Sequence, residues 1–370
     1  MFSIKDTPLT IVAQISRKGK RVLVVKNHIL MYNRNIEQLQ FGIYRKRTSM
    51  NKIQIIVNNG AGTGSAVPVW KETKEYLQEK EIPYNAYLTR YEKHAMKLAG
   101  QICEKFPEGP IYLLVVGGDG TINEVLNGIP DFDRVRLGVI PTGSGNDFAR
   151  NLGILRNTRG NLAEIVSCIK QEQNGEPLQR IDLGEVSWED CTKPRIFGIS
   201  AGVGLDAIVC KKALHSTLKK VLNRFHLGKL TYLMLTVQTL FSMKTFRATV
   251  TVDGETETCQ NMIFAAAMNL RAEGGGVPMA PDSTPYDGNI SLSSASGIPK
   301  WKTFFLLPLL ALGKQGGIKG FDVKDGAEIT LELDQPVMVH ADGEYCGDVR
   351  YIKFCCRRNT LWLLHPRREK

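Results

Sequence analysis

Several things are missing from this 370-residue chain, and each absence removes a class of protein. The eight cysteines contain no Cys-x-x-Cys pair and no zinc-ligand spacing. Cys355 and Cys356 are adjacent and cannot easily pair with each other, so the thiols read as reduced, as in a cytosolic protein. No apolar run reaches the roughly 18 residues that a membrane-spanning helix needs. The longest, Phe304 to Leu312, is about half that length. No secretory h-region with a cleavage site is present. There is no G-x-x-x-x-G-K-[ST], so the chain is not a P-loop protein. The six histidines, at 28, 94, 215, 226, 340 and 365, show no ligand spacing. His340 lies near Asp342 and reads as a satisfied strand-end histidine. Internal repeats and low-complexity tracts are also lacking.

What is present is an ordinary globular composition, 43% hydrophobic, with a basic balance of +11. A basic chain suggests an anionic partner such as nucleic acid, an acidic membrane or a phosphate ligand. The charge is uneven. Residues 1–50 hold ten Lys/Arg against Asp6 and Glu37, which is +8 of the +11. The remaining body is only mildly basic, which argues against nucleic acid. Residues 1–50 carry little periodic pattern beyond Val22 to Val25, and Met50 immediately precedes the first clear strand. A translation start at Met50, with a dispensable basic extension before it, is therefore one expectation.

From Lys52 the pattern alternates strand and helix: strands at 52–57, 84–89, 111–116 and 137–140, helices at 66–80, 92–106 and 161–171. This alternation predicts a mostly parallel sheet with helices on both faces. Near Gln179 the character changes to short strands joined by turns, at 180–186, 194–200, 246–253, 262–268, 289–293, 328–333, 337–340 and 351–356, and predicts a β-rich second domain. A helical segment at about 207–243 interrupts it. There Leu214, Leu218, Val221, Leu222 and Phe225 share one face, while Lys212, Lys219 and Lys220 point elsewhere. Such a helix either packs with a solvated lysine face or lies on an anionic membrane. The run Phe304 to Leu310 reads either as core or as an apolar surface for acyl chains.

The chain is organised around Val115-Val116-Gly117-Gly118-Asp119-Gly120-Thr121-Ile122-Asn123-Glu124-Val125. It reads as a buried strand, a glycine turn and the first turn of a helix. Thr121 and Glu124 have the spacing of a capping box. The amides of such a turn favour an anion. A carboxylate at Asp119 would repel phosphate, so its expected task is to bind a metal or orient a hydroxyl. Two further glycine loops, Asn58-Asn59-Gly60-Ala61-Gly62-Thr63-Gly64 and Pro141-Thr142-Gly143-Ser144-Gly145-Asn146-Asp147-Phe148-Ala149-Arg150, follow strands of the same sheet. Three loops on one sheet edge would wrap a nucleotide. Other candidates are Asp342-Gly343-Glu344, the segment Pro281 to Asn289, and Asn269-Leu270-Arg271-Ala272-Glu273-Gly274-Gly275-Gly276. Asp-Gly is also the commonest hairpin dipeptide, as read at Asp253-Gly254.

The Gly-Gly-Asp-Gly element, the Pro-Thr-Gly-Ser-Gly-Asn-Asp-Phe-Ala-Arg element about twenty residues on, and the later Gly-Gly-Gly, Asp-Gly and Asp-Gly-Glu elements in that order resemble the diacylglycerol kinase catalytic-domain family, relatives of sphingosine kinases. The first element is shared with NAD kinases and phosphofructokinases, whereas the second and the later order are more specific to lipid kinases. The resemblance covers the chain from about residue 51. It implies a doubly wound, Rossmann-like α/β nucleotide domain (51–176) and an all-β, β-sandwich lipid-substrate domain (177–370) with a cleft between them. The C-terminal end is a candidate for packing back on the first domain.

The resemblance implies ATP bound at Gly117, Gly118, Asp119, Gly120, Thr121, Ile122 and Asn123, with Asn58, Gly62, Gly64, Thr89 and Thr142 assisting. Asn59 departs from the family's usual proline. The resemblance implies Glu344 as proton acceptor with Asp342 beside it, Asp119 as a further acidic partner near Mg²⁺, and a structural Mg²⁺ site at Thr284, Asp287 and Asn289. The implied activity is ATP-dependent phosphorylation of a lipid hydroxyl, most simply diacylglycerol to phosphatidic acid. The expected setting is cytoplasmic and peripheral at an anionic membrane, with no nucleic-acid partner and with a homodimer compatible. The alternatives are NAD kinase-like phosphorylation of a dinucleotide and a non-catalytic nucleotide-binding regulator at the membrane.

Overall fold

The computed structural model describes residues 12–15, 21–25, 28–32, 52–60, 66–215 and 228–367. Residues Met1–Asn51 and Lys52–Lys370 form separate units. In the first, β1 (Val12–Ile15), β2 (Arg21–Val25) and β3 (His28–Tyr32) pair as an antiparallel sheet. Only the middle strand carried a signal in the sequence, the apolar residues Val22 to Val25.

The second unit opens with β4 (Ile53–Val57), α1 (Ala66–Glu79), β5 (Tyr84–Leu88), α2 (His94–Lys105), β6 (Ile111–Gly117), α3 (Asp119–Gly128), β7 (Val135–Pro141), the short α4 (Asp147–Asn151) and α5 (Thr158–Gln173). The strands run parallel in the order β5-β4-β6-β7. Every residue of β4 and β6 is buried, which explains their unbroken apolar runs. Strand order reverses between β4 and β6, and this switch point is where open α/β sheets form a crevice beyond the strand C-termini. Asn58 follows β4 there, and Gly118 follows β6.

The remainder comprises β8 (Arg180–Trp188), β9 (Arg195–Phe197), β10 (Ser200–Gly204), α6 (Leu205–His215), α7 (Gly228–Ser242), β11 (Phe246–Val252), β12 (Glu255–Met262), β13 (Phe264–Met268), β14 (Ile290–Ala295), α8 (Lys300–Ala311), β15 (Phe321–Gly326), β16 (Glu328–Ala341) and β17 (Glu344–Leu363). All pairings among these strands are antiparallel. The fold is therefore α/β followed by a β-sandwich-like, strand-rich part. The expected strand at 194–200 is two strands, broken at Gly198, and 328–340 is one long strand with an irregularity between Glu332 and Val337. Strands β12 and β15 were not read from the sequence, because their exposed polar faces leave almost no apolar pattern. Asp253-Gly254 is the plain hairpin turn expected of it. The apolar face formed by Leu218, Val221, Leu222 and Phe225, with Lys219 and Lys220, lies outside the described residues, as does the side chain of Leu214.

β17 returns to the first sheet. Trp362 and Leu363 pair in parallel with Arg136 and Leu137 of β7. The guanidinium groups of Arg136 and Arg180 lie 4.8 and 4.4 Å from the Trp362 ring. One continuous sheet thus runs from β15 to β5, and Glu344 at the start of β17 belongs to the same framework as the glycine turn after β6.

Candidate active site

The strand β6 ends at Gly117 and α3 begins at Asp119 with no side chain capping its first turn. The capping box is not formed, because the helix starts two residues before Thr121. Glu124 serves the neighbouring helix instead: its two carboxylate oxygens accept the amides of Lys93 and Ala95 at 2.9 and 3.0 Å, at the start of α2. Thr121 Oγ1 accepts from Asn58 Nδ2 at 2.9 Å, tying the loop after β4 to the helix start. Asn58 Oδ1 accepts the Gly60 amide at 3.1 Å. Gly62 and Gly64 lie outside the described residues.

The second glycine loop lies directly on the first. The amide of Thr142 donates to the Gly117 carbonyl at 2.9 Å. A Cβ on Gly143 would fall 2.8 Å from the Gly118 Cα, so glycine is required for the backbones to meet. Gly143→Ala is expected to force the two loops apart and lower stability by about 1–3 kcal/mol, the usual range for overpacking; the denaturant midpoint measures it.

Asp119 is tied to the loop that follows β7. Its Oδ2 and Oδ1 accept the amides of Asp147 and Phe148, each at 3.1 Å. The carboxylate therefore faces the start of α4, and both its oxygens are engaged by main chain. Burial lifts its pKa above the ordinary carboxylate value, while these amides and Arg150 pull it down. Asp147 continues the chain of contacts: its Oδ1 pairs with Arg150, and its Oδ2 accepts the Gly275 amide at 2.7 Å. Asn151 exchanges hydrogen bonds with the main chain of Ala272 at 2.7 and 3.1 Å. The loop it holds has three successive glycines at φ of 60°, 91° and 98°, a conformation closed to most side chains. The Gly-Ser-Gly-Asn-Asp-Phe-Ala-Arg element, with Asn151 after it, thus bonds the α/β part to the 272–275 loop of the strand-rich part.

Asp342 and Glu344 differ sharply. Asp342 Oδ2 accepts from Asn123 Nδ2 at 2.9 Å and from the Gly198 amide at 2.8 Å. Its Oδ1 accepts the amides of Ile199 and Ser200 at 2.8 and 3.0 Å. Burial pushes this carboxyl up, and the same four donors pull it down. Asn123 is itself buried, and its Nδ2 also reaches the Ile196 carbonyl at 3.1 Å. Glu344, two residues on, is half-buried, and no group among the described residues hydrogen-bonds its carboxylate. A Cβ on Gly120 would lie 3.9 Å from Glu344 Oε1. Glu344 therefore faces the uncapped start of α3. Burial and the charge of Glu92 raise its pKa, against the opposing pull of Arg195.

Behind this turn sits a buried network that the sequence reading missed. His340 Nδ1 accepts the Gly343 amide at 3.1 Å, which places the ring proton on Nε2, toward Asp206. Asp206 also shares a hydrogen bond with Glu273, whose carboxyl is pushed up to about 8 by burial and by the Asp206 charge. Ser200 Oγ donates to Glu273. Asp206, Cys210 and His340 offer ligand-type atoms within 4.8 Å of one another. The Gly343 amide opposes metal ligation by Nε2, since the ring would then carry its proton on Nδ1. The expected satisfied histidine is what the structure contains.

Thr89 ends the β5 segment, its amide bonded to the Val57 carbonyl at 2.9 Å, and lines a surface depression with Leu88, Arg90 and His94. In the 281–289 loop, Asp287 Oδ1 accepts the Asn289 amide at 2.9 Å. That loop is anchored by Asp182, a buried carboxylate that accepts the amides of Gly288 and Asn359 at 2.7 and 2.6 Å. Arg358, which donates to the Gly288 carbonyl at 3.0 Å, stands toward the opposite end of β17 from Glu344. The signal for Asp182 was in the sequence: a carboxylate between Ile181 and Leu183 in a strand, which must find donors if buried.

Residues 52–184 match the model of the diacylglycerol kinase catalytic domain, and residues 199–360 match that of a YegS C-terminal NAD kinase beta sandwich-like domain. The chain is 31% identical over 294 residues to the Bacillus subtilis protein named "Putative lipid kinase YtlR", covering 79% of this chain and 93% of that one. It is 25% identical over 301 residues to a diacylglycerol kinase of Mycobacterium tuberculosis, covering 81% and 91%. A solved structure titled as a putative diacylglycerol kinase from Bacillus anthracis superposes with a TM-score of 0.65 at 20% identity, over 86% of this chain and 98% of that chain. The chain belongs to the diacylglycerol kinase catalytic-domain family of lipid kinases.

Proposed function

We propose that this lipid kinase transfers the γ-phosphoryl group of ATP to the hydroxyl of diacylglycerol, giving phosphatidic acid. The observation that carries the reading is the position of Glu344, a carboxylate with a raised pKa facing the uncapped N-terminus of α3 beside Gly120. Phosphoryl transfer depends mainly on positioning and charge stabilisation. The amides of the 117–121 turn favour the nucleotide phosphates. Gly118 and Gly143 let the two loops pack backbone to backbone, and Asn58 and Thr142 hold the adjoining loops in place. Glu344 takes the hydroxyl proton as the oxygen attacks. Asp342 is left a positioning role, since four donors occupy its two oxygens.

Mg²⁺ accompanying ATP supplies charge neutralisation at the phosphates. Asp119 accepts one main-chain amide at each oxygen, which holds the start of α4 and leaves one lone pair on each oxygen that would suit a hydrated cation. The 284–289 loop also fits a hard cation: Asp287 and main-chain groups of Thr284 and Asn289 are oxygen donors of the type Mg²⁺ takes. An ion there would be structural, bracing a loop that is anchored through Asp182.

The test is transfer of radiolabelled phosphate from ATP to diacylglycerol, phosphatidylglycerol, a sphingoid base and NAD, assayed in parallel. Label in phosphatidic acid is expected. Label in NAD alone, or in no acceptor while ATP still binds, rejects the reading.

A further inference from the structure

Helix α8 was expected to be core or an acyl-chain surface, and the structure divides it by face. Thr303, Leu307 and Leu310 are buried, at the spacing of one helical stripe. The opposite stripe is also apolar, yet it is exposed: Trp301 is 58% exposed, Phe305 68% and, just past the helix end, Leu312 66%. The patch continues onto α7. Phe241, 53% exposed, lies 6.1 Å from the ring of Phe304, which in turn meets Phe305 at 5.2 Å. Lys300 joins the two helices by donating to the Met243 carbonyl. A contiguous apolar surface of this kind marks an interaction site, unlike scattered single residues.

The charge around the patch selects the partner. No Asp or Glu occurs between Asp206 and Asp253, nor between Asp287 and Asp322, the two stretches that contain α7 and α8. The charged residues within them are all basic, and Lys300, Lys302 and Lys314 flank the exposed stripe. An apolar face carrying tryptophan at one end, with lysines beside it and no acid, has the composition of a helix that lies in a bilayer interface. No described helix is long and apolar enough to cross a membrane, so contact by these helices is with one face.

We propose that the exposed stripe of α8, extended by Phe241 of α7, is the surface by which this protein docks on a bilayer containing anionic lipid. The proposal deepens the lipid-kinase reading and rests on it for the location of the substrate. Insertion of Trp301 and Phe305 supplies the apolar contribution, about tenfold to hundredfold in partitioning for each large side chain fully buried. Each lysine near an anionic surface adds about fivefold.

The test is sedimentation of the full chain with vesicles of phosphatidylcholine, with and without phosphatidylglycerol. Alongside it runs turnover of a water-soluble short-chain diacylglycerol. Binding only to the anionic vesicles is expected, reduced at least tenfold in Trp301→Gln and in Phe305→Gln, with short-chain turnover unchanged. Both side chains are largely exposed, so the variants keep the fold, and circular dichroism checks this. Failure of the wild type to sediment, or equal sedimentation of wild type and variants, overturns the proposal even if kinase activity is found. An equal loss of short-chain turnover overturns it in favour of an acyl-binding subsite. A dimer in ultracentrifugation that both variants abolish, without vesicle binding, overturns it in favour of a second copy of this chain. Vesicle binding with no phosphate transfer to any lipid leaves the docking surface standing and removes the kinase reading.

Discussion

Glu344→Gln is expected to lower kcat by about 10²- to 10⁴-fold, the range for losing a general base, while leaving ATP affinity unchanged. The substitution is nearly isosteric. Because no described group hydrogen-bonds the Glu344 carboxylate, the amide leaves no partner stranded. The fold and the amides of the glycine turn are untouched, so ATP titration by calorimetry should match wild type. Full activity in this variant would remove Glu344 from the reaction. The pH profile gives a second readout. Burial and the charge of Glu92 hold the Glu344 pKa above its ordinary value, with Arg195 opposing. A base works in its ionised form, so activity is present above that raised pKa and lost as pH falls through it. The acid limb of kcat/KM should therefore lie at higher pH than an exposed glutamate would give. Glu92→Gln removes one of the raising charges and should move the limb to lower pH.

How far the site was legible in the sequence depends on what each residue does. The glycines were readable because a tight turn or close backbone approach excludes side chains, and this constraint is local. Gly117, Gly118 and Gly120 lie in the turn from β6 into α3, and Gly143 of the next glycine loop meets Gly118. The strands β4 and β6 were readable because burial on both faces leaves an unbroken apolar run. Carboxylates were harder, because their roles are set by partners far away in sequence. Asp119, Asp342 and Glu344 look alike in a motif. In the structure the first receives amides from residues 147 and 148, the second from 198 to 200, and the third faces the crevice. Glu124 shows the same limit. Its spacing from Thr121 suggested a local cap, and it caps a different helix, some thirty residues back in the chain. The Asp206–Glu273–His340 network was invisible for this reason: three elements of the β-rich half contribute one titratable group each. Helix α8 was mixed. Its continuous apolar run concealed that only one stripe faces the core.

Asp342→Asn should then be strongly damaging, through geometry rather than charge alone. The carboxylate accepts two hydrogen bonds at each oxygen, from Asn123 and Gly198 at one and from Ile199 and Ser200 at the other. Asparagine offers one oxygen and one NH₂ group. Whichever way the amide is turned, its NH₂ confronts two N–H donors, so one side of the clamp loses both bonds and gains a repulsion. Leaving buried donors unsatisfied costs about 1–3 kcal/mol each, and a total loss of about 2–5 kcal/mol of stability is expected. Thermal unfolding measures this. The functional loss should exceed what the unfolded fraction explains, because the same clamp joins α3 at Asn123 to the turn that projects Glu344. At a temperature where the variant is fully folded, kcat should still fall by about tenfold or more, as a small misplacement of a reacting group allows. Asn123→Ala provides the control from the other side. It removes one of the four donors and frees the helix end of the clamp, so it should reproduce a smaller version of both effects. A variant at Asp342 with normal kcat when folded would show that the position of Glu344 does not depend on this clamp.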